Sequence, residues 1–172
     1  MQIDHKAGYL IGIGSNLSPH QNIAQIIEEL LQQFSQLSLS RVLHIPPVGM
    51  NSQHDFLNMA VFIETDIAQT ELKAFCNDLE TQLGRDRNDP ASKIKDRAAD
   101  LDILFQITHN DDFQRPANSI TDEYFLYPVI DELLAYLSNR PFRSLQAGVA
   151  IALDGLTFGE TATTINRNTT AG

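Results

Sequence analysis

A chain of 172 residues with 12 Lys and Arg against 22 Asp and Glu has a formal net charge of −10. That charge argues against a general binder of nucleic acid or anionic membrane, since both need a broad positive field. No apolar run approaches a membrane span. Cys76 is the single cysteine, which excludes an intramolecular disulfide and a cysteine-built zinc site.

The opening residues run straight into a strand-like segment without the layout of a secretory signal, so a cytoplasmic protein is expected. The length suits one domain over 1–172. "YLIGIGSN" (9–16) reads as a buried strand ending in turn chemistry. In "SPHQNIAQIIEELLQQF", Ser18 and Gln21 offer a capping box and Pro19 a first helical position. Ile23, Ile26, Ile27, Leu30, Leu31 and Phe34 share one helical face. "LSLSRVLHI" (37–45) reads as one strand, ended by Pro46 and Pro47, and "FLNMAVFIET" (56–65) as another. Asp66 and Gln69 suggest a second capping box, opening a helix striped with Leu72, Phe75, Cys76, Leu79 and Leu83 and stopped by Gly84. Cys76 on that stripe reads as core.

Between this helix and the next strand lie Arg85, Arg87, Lys93, Lys95 and Arg97. A local basic cluster on an acidic chain suits a small anionic ligand, although a solvated loop has the same composition. "ADLDILF" (99–105) is the fourth strand; alternation puts Asp100, Asp102 and Leu104 on one face and Leu101, Ile103 and Phe105 on the other. The order β-α-β-β-α-β predicts an α+β, ferredoxin-like core, an antiparallel sheet with helices on one face. Its expected extent is about 8–137, with a short helix in "YPVIDELLAYL". A C-terminal extension (138–160) with a strand or hairpin in "GVAIALDGLTF" follows, then a mobile tail (161–172) poor in apolar anchors.

Two carboxylates side by side on a strand repel one another, and a divalent cation removes that penalty. Oxygen-only ligands favour Mg²⁺, which borrows further ligands from substrate phosphates. Carboxylate pair, metal and basic clamp are the equipment of phosphoryl transfer. A D-x-D pair on a solvent-facing sheet surface is equally common without any ligand. The glycines of "GIGSN" fit neither a dinucleotide fingerprint nor a P-loop.

"GIGSNL" closing the first strand, "PPVG" ahead of "DFLN", "LGRDR" closing the second helix and R-x-x-D-L-D-I on the fourth strand stand in one order over residues 8–137. Together they resemble the hydroxymethyldihydropterin pyrophosphokinase family of folate biosynthesis. The resemblance implies transfer of pyrophosphate from ATP to 6-hydroxymethyl-dihydropterin, releasing AMP, with two Mg²⁺ ions. It implies Asp100 and Asp102 as metal ligands and Arg85, Arg87 and Arg97 on the phosphates, with Glu80 as a nucleotide-side contact. Ile45, Pro46, Val48, Phe56, Asn58 and Phe125 would form the pterin pocket, Asn58 hydrogen-bonding the ring and the two phenylalanines stacking on it. ATP and the pterin are then the expected partners, with no nucleic acid and no membrane, and the protein a monomer.

Between Pro116 and Phe125 this chain has Ala117, Asn118 and Glu123 where the family carries His, Tyr and Arg. Three readings follow: a divergent working enzyme, a weak or inactive relative that binds pterin and nucleotide, and an interaction domain without small ligands.

Overall fold

The computed structural model describes residues 7–46, 55–84 and 98–167. In chain order these contain β1 (Gly8–Ser15), α1 (Pro19–Phe34), β2 (Gln36–Leu39), β3 (Leu43–Ile45), β4 (Phe56–Glu64), α2 (Gln69–Gln82), β5 (Asp100–Ile107), α3 (Tyr127–Leu137), β6 (Ile151–Leu153), β7 (Leu156–Phe158) and β8 (Thr163–Asn166). One antiparallel sheet runs β5-β1-β4-β2-β8, with β3 also on β4, and β6 and β7 make a separate hairpin.

The strand expected over 37–45 is two strands. Ser40 donates its N–H to Ala60 O, while its hydroxyl accepts the Ala60 N–H at 2.9 Å. The side chain thus takes the place of a ladder carbonyl. Beyond it, Val42 bonds to Gly159 and Val149 of the C-terminal segment rather than to β4. Neither expected capping box forms. Ser18 caps α1 at φ 40° without a side-chain bond, and α2 begins after Ala68, two residues past Asp66.

The sheet is covered on both faces, not one. Odd-numbered residues of β1 and β4 (Tyr9, Ile11, Ile13; Leu57, Met59, Val61, Ile63) pack with the apolar stripes of α1 and α2. On the other face Leu10, Ala60 and Phe62 pack with Val129, Ile130, Leu133 and Leu134 of α3. Each helix buries its own stripe, as 3.6-residue periodicity requires. Small residues make room for the second layer: a Cβ at Gly12 would sit 3.2 Å from Leu126 and 3.4 Å from Leu104.

β5 departs from strict alternation. Leu10 pairs with Phe105 but Ile11 with Ile103, leaving Leu104 as the extra residue of a bulge. Leu104 and Phe105 therefore both pack against the α3-side cluster, whereas Leu101 and Ile103 stay with α1 and α2. The expectation for Phe105 fails by that one inserted residue.

The hairpin expected near 148–158 is present as β6–β7, turned at Asp154 (φ 46°) and Gly155 (φ 83°). Two positive φ values in a two-residue loop match the twist of the flanking strands. The stretch expected as a mobile tail instead supplies β8 up to Asn166, paired to β2, with Ile165 buried. A single isoleucine was too sparse a pattern to show this; residues 168–172 lie outside the described part.

Candidate active site

β1 is the axis of the site. Its register sets Gly14 between Asn58 of β4 and Asp100 of β5, and Gly12 between Ala60 and Asp102. On the far side of β4, Leu43 pairs with Asn58 and Ile45 with Phe56. Paired residues share a face, so Asp100, Asp102, Asn58, Phe56 and Ile45 all stand on the α3 side of the sheet. Between the carboxylates and the amide β1 carries no side chain of its own, and neighbours fill the space above it: Leu126 and Leu104 over Gly12, Asn58 and Phe56 over Gly14. Glycine at 14 is required there: a Cβ would strike the Asn58 Oδ1 and come within 3.4 Å of the Phe56 ring.

Asn58 (5% exposed) and Phe56 (9%) are largely buried, Ile45 is half-buried, and Pro46 is exposed. Phe125 lies in a 3-10 turn, Tyr124–Leu126, directly before α3, and packs half-buried against the same cluster as Ile45. Tyr124 meets it edge-on at 5.9 Å and is itself 65% exposed. Thus Ile45, Phe56, Asn58 and Phe125 come to the face that carries Asp100 and Asp102. Val48, Arg85, Arg87, Lys93, Lys95 and Arg97 lie outside the described residues.

Glu80, expected beside the nucleotide, is 1% exposed and accepts the Leu101 N–H at 2.8 Å. Leu101 lies between the two aspartates on an edge strand, so this carboxylate ties α2 to the segment that fixes their spacing. A strand N–H that no neighbouring strand pairs would otherwise be buried unsatisfied.

Beyond β5, Arg115 places Nε 3.1 Å from Asp112 Oδ1 and its guanidinium carbon 5.0 Å from the centre of the Phe105 ring. Burial opposes the charge on Asp112. The N–H groups of Thr108 and His109, with Arg115, more than offset that and hold its carboxyl below the ordinary range. Ala117 is buried, with its N–H donated to Asp131 Oδ1 at 3.2 Å, Asn118 is exposed, and Glu123 is half-buried. Cys76 is core, as expected; burial above all pushes its thiol up to about 11, with Lys73 pulling down and Asp102 pushing up.

Among the described residues no three His, Cys, Asp or Glu side chains gather as a metal cage. Two adjacent carboxylates fit Mg²⁺ nonetheless, because that ion keeps several waters and completes its shell with phosphate oxygens rather than protein. His109 caps the turn that follows β5 and bonds Thr108, so it is occupied structurally.

Paired carboxylates and an amide among aromatic side chains, brought to one face of an antiparallel sheet across Gly12 and Gly14, make up the candidate site of this α+β protein. The model of the family described as 7,8-dihydro-6-hydroxymethylpterin-pyrophosphokinase matches residues 10–134, and the chain belongs to that family. It is 36% identical over 97 residues to the 2-amino-4-hydroxy-6-hydroxymethyldihydropteridine pyrophosphokinase of Bacillus subtilis, covering 55% of this chain and 56% of the relative. It is 30% identical over 96 residues to the protein of that name in Porphyromonas gingivalis, covering 55% and 65%. With the bifunctional protein FolKE of Lactococcus lactis it shares 28% identity over 150 residues, covering 74% of this chain and 42% of the relative. The chain therefore spans less than two thirds of the length of each.

Proposed function

We propose that the protein transfers pyrophosphate from ATP to the hydroxymethyl group of 6-hydroxymethyl-dihydropterin, releasing AMP. The observation that carries this is the single sheet face shared by Asp100, Asp102, Asn58, Phe56 and Phe125. Family membership and the relatives' names support the same reaction. The core β1-α1-β2-β4-α2-β5 is read as ferredoxin-like, and the protein as a cytoplasmic monomer. No described helix is long and apolar enough to cross a membrane.

Asp100 and Asp102 would hold two Mg²⁺ ions, which when bound neutralise charge on the ATP phosphates. Arg85, Arg87 and Arg97 would grip those phosphates. Asn58 would offer a carbonyl acceptor and two N–H donors on that face, a match for the donor and acceptor edge of a pterin. Phe56 and Phe125 would supply flat apolar surfaces for its ring, and Ile45, Pro46 and Val48 would complete the lining. Such a site works by holding acceptor and donor in line, so positioning contributes most of the rate.

Where the resemblance expects a histidine, buried Ala117 offers no proton carrier, and half-buried Glu123 replaces an expected arginine. Loss of a general acid or base costs about 10²–10⁴ in rate. A slow enzyme is therefore expected, and a binding protein with little turnover is the second reading.

The test is AMP release from ATP and Mg²⁺ with and without 6-hydroxymethyl-dihydropterin. Pterin-dependent AMP is the expected result. Its absence from folded protein that still binds both ligands would establish the second reading, and binding of neither would overturn both.

A further inference from the structure

Two opposite charges, Arg41 in "LSLSRVLHI" and Glu132 of the adjacent Asp131–Glu132 pair in α3, meet away from Asp100 and Asp102. Glu132 is 3% exposed. Its Oε1 accepts the Arg41 main-chain N–H at 2.9 Å, and its Oε2 accepts Arg41 Nε–H at 3.0 Å and the Ala162 N–H at 3.2 Å. Arg41 Nη1 donates onward to Gln146 O at 2.9 Å, and Gln146 Nε2 donates to His44 O at 3.1 Å. One buried carboxylate thus joins α3, the break between β2 and β3, the approach to β8 and, through Arg41, the segment between α3 and β6.

The two ends of this tie lead to opposite walls of the proposed pterin pocket. Ile45 lies four residues after Arg41, and Phe125 seven before Glu132. β3 is only three residues long and, among the described residues, pairs with β4 alone, so no described strand supports its outer flank. The 3-10 turn of Phe125 is equally short. Resting on the function proposed above, we propose that Arg41 and Glu132 are positioning residues that set the separation of β3 and the Phe125 turn, and hence the fit of the pterin. A plain contribution to stability is the competing role. It is separable even though leucine at 132 strands the Arg41 and Ala162 N–H groups: lost stability alone weakens both ligands alike, whereas a lost tie acts on the pterin walls.

The experiment compares the wild type with Arg41→Met/Glu132→Leu. It measures binding of 6-hydroxymethyl-pterin by fluorescence, binding of a non-hydrolysable ATP analogue with Mg²⁺ by calorimetry, and amide exchange. The double variant is expected to fold and to bind the pterin about 10-fold more weakly or worse, while nucleotide affinity holds. The amides of Leu43, Ile45 and Leu126 should exchange faster, and those in the middle of β1 and β4 as before. Unchanged exchange at both walls, or equal weakening of both ligands, overturns the proposal. If the wild type itself binds no pterin, the proposed function has failed, and the exchange comparison still decides whether the tie exists.

Discussion

Asp100 and Asp102 reach the same sheet face as Asn58, with Gly12 and Gly14 of β1 between them. Gly14 stands between Asp100 and Asn58 and Gly12 between Asp102 and Ala60, so neighbouring side chains can lean over β1: Asn58 and Phe56 at Gly14, Leu126 and Leu104 at Gly12. Asp102→Asn keeps volume and hydrogen bonding while removing the charge that attracts a cation. Pterin-dependent AMP formation is expected to fall by roughly 10²–10³. Wild-type turnover in that variant would sink the metal assignment. The aspartate pair was legible because strand alternation is a local rule. The part played by Gly12 and Gly14 was not: it exists only once β4 and β5 flank β1, and no spacing within "GIGSN" encodes that register. Arg41 left a faint signal as a lone charge in a strand-like run, but Glu132 stands beside Asp131, and the two partners are 91 positions apart.

Among the elements, the long periodic ones were readable and the junctions were not. α1, α2 and β4 follow from their stripes and runs. The split of 37–45 depends on Ser40 bonding Ala60 on another strand, and the β5 bulge on the pairing of Leu104's neighbours with β1. α3 was visible as a helix, but its choice of the opposite face follows from the low relief of Gly12 and Ala60. The tie from α2 to β5 through Glu80 belongs to this scale too. Glu80→Ala strands the buried Leu101 N–H, which is expected to cost about 1–3 kcal/mol in unfolding free energy. Urea denaturation measures this; an unchanged midpoint would mean that the edge of β5 is held by other contacts.

Across the whole molecule, the sheet works as a shared wall between two cores, and the C-terminal third closes both. β6 and β7 add Ile151, Leu153 and Phe158 to the α1–α2 side, while β8 covers the edge of β2 with Ile165 inward. That outer segment belongs to the fold rather than hanging from it. With a net charge of −10 the folded chain repels itself at neutral pH, so its acid behaviour reflects two opposed effects. Protonating exposed carboxylates relieves the repulsion, but Asp112 loses the charge held by Thr108, His109 and Arg115. Folding lowers the Asp112 pKa from its ordinary 3.8. Its contribution is therefore complete above that value and is lost as pH falls through the lower folded one. Asp112→Asn should accordingly be less stable than wild type at neutral pH, with the gap closing only below about pH 3.8. Urea midpoints for the two proteins, taken from neutral pH down to about pH 3, measure that gap directly. A gap that stays constant across the range would place the stabilisation in packing of the Asp112 turn rather than in its charge.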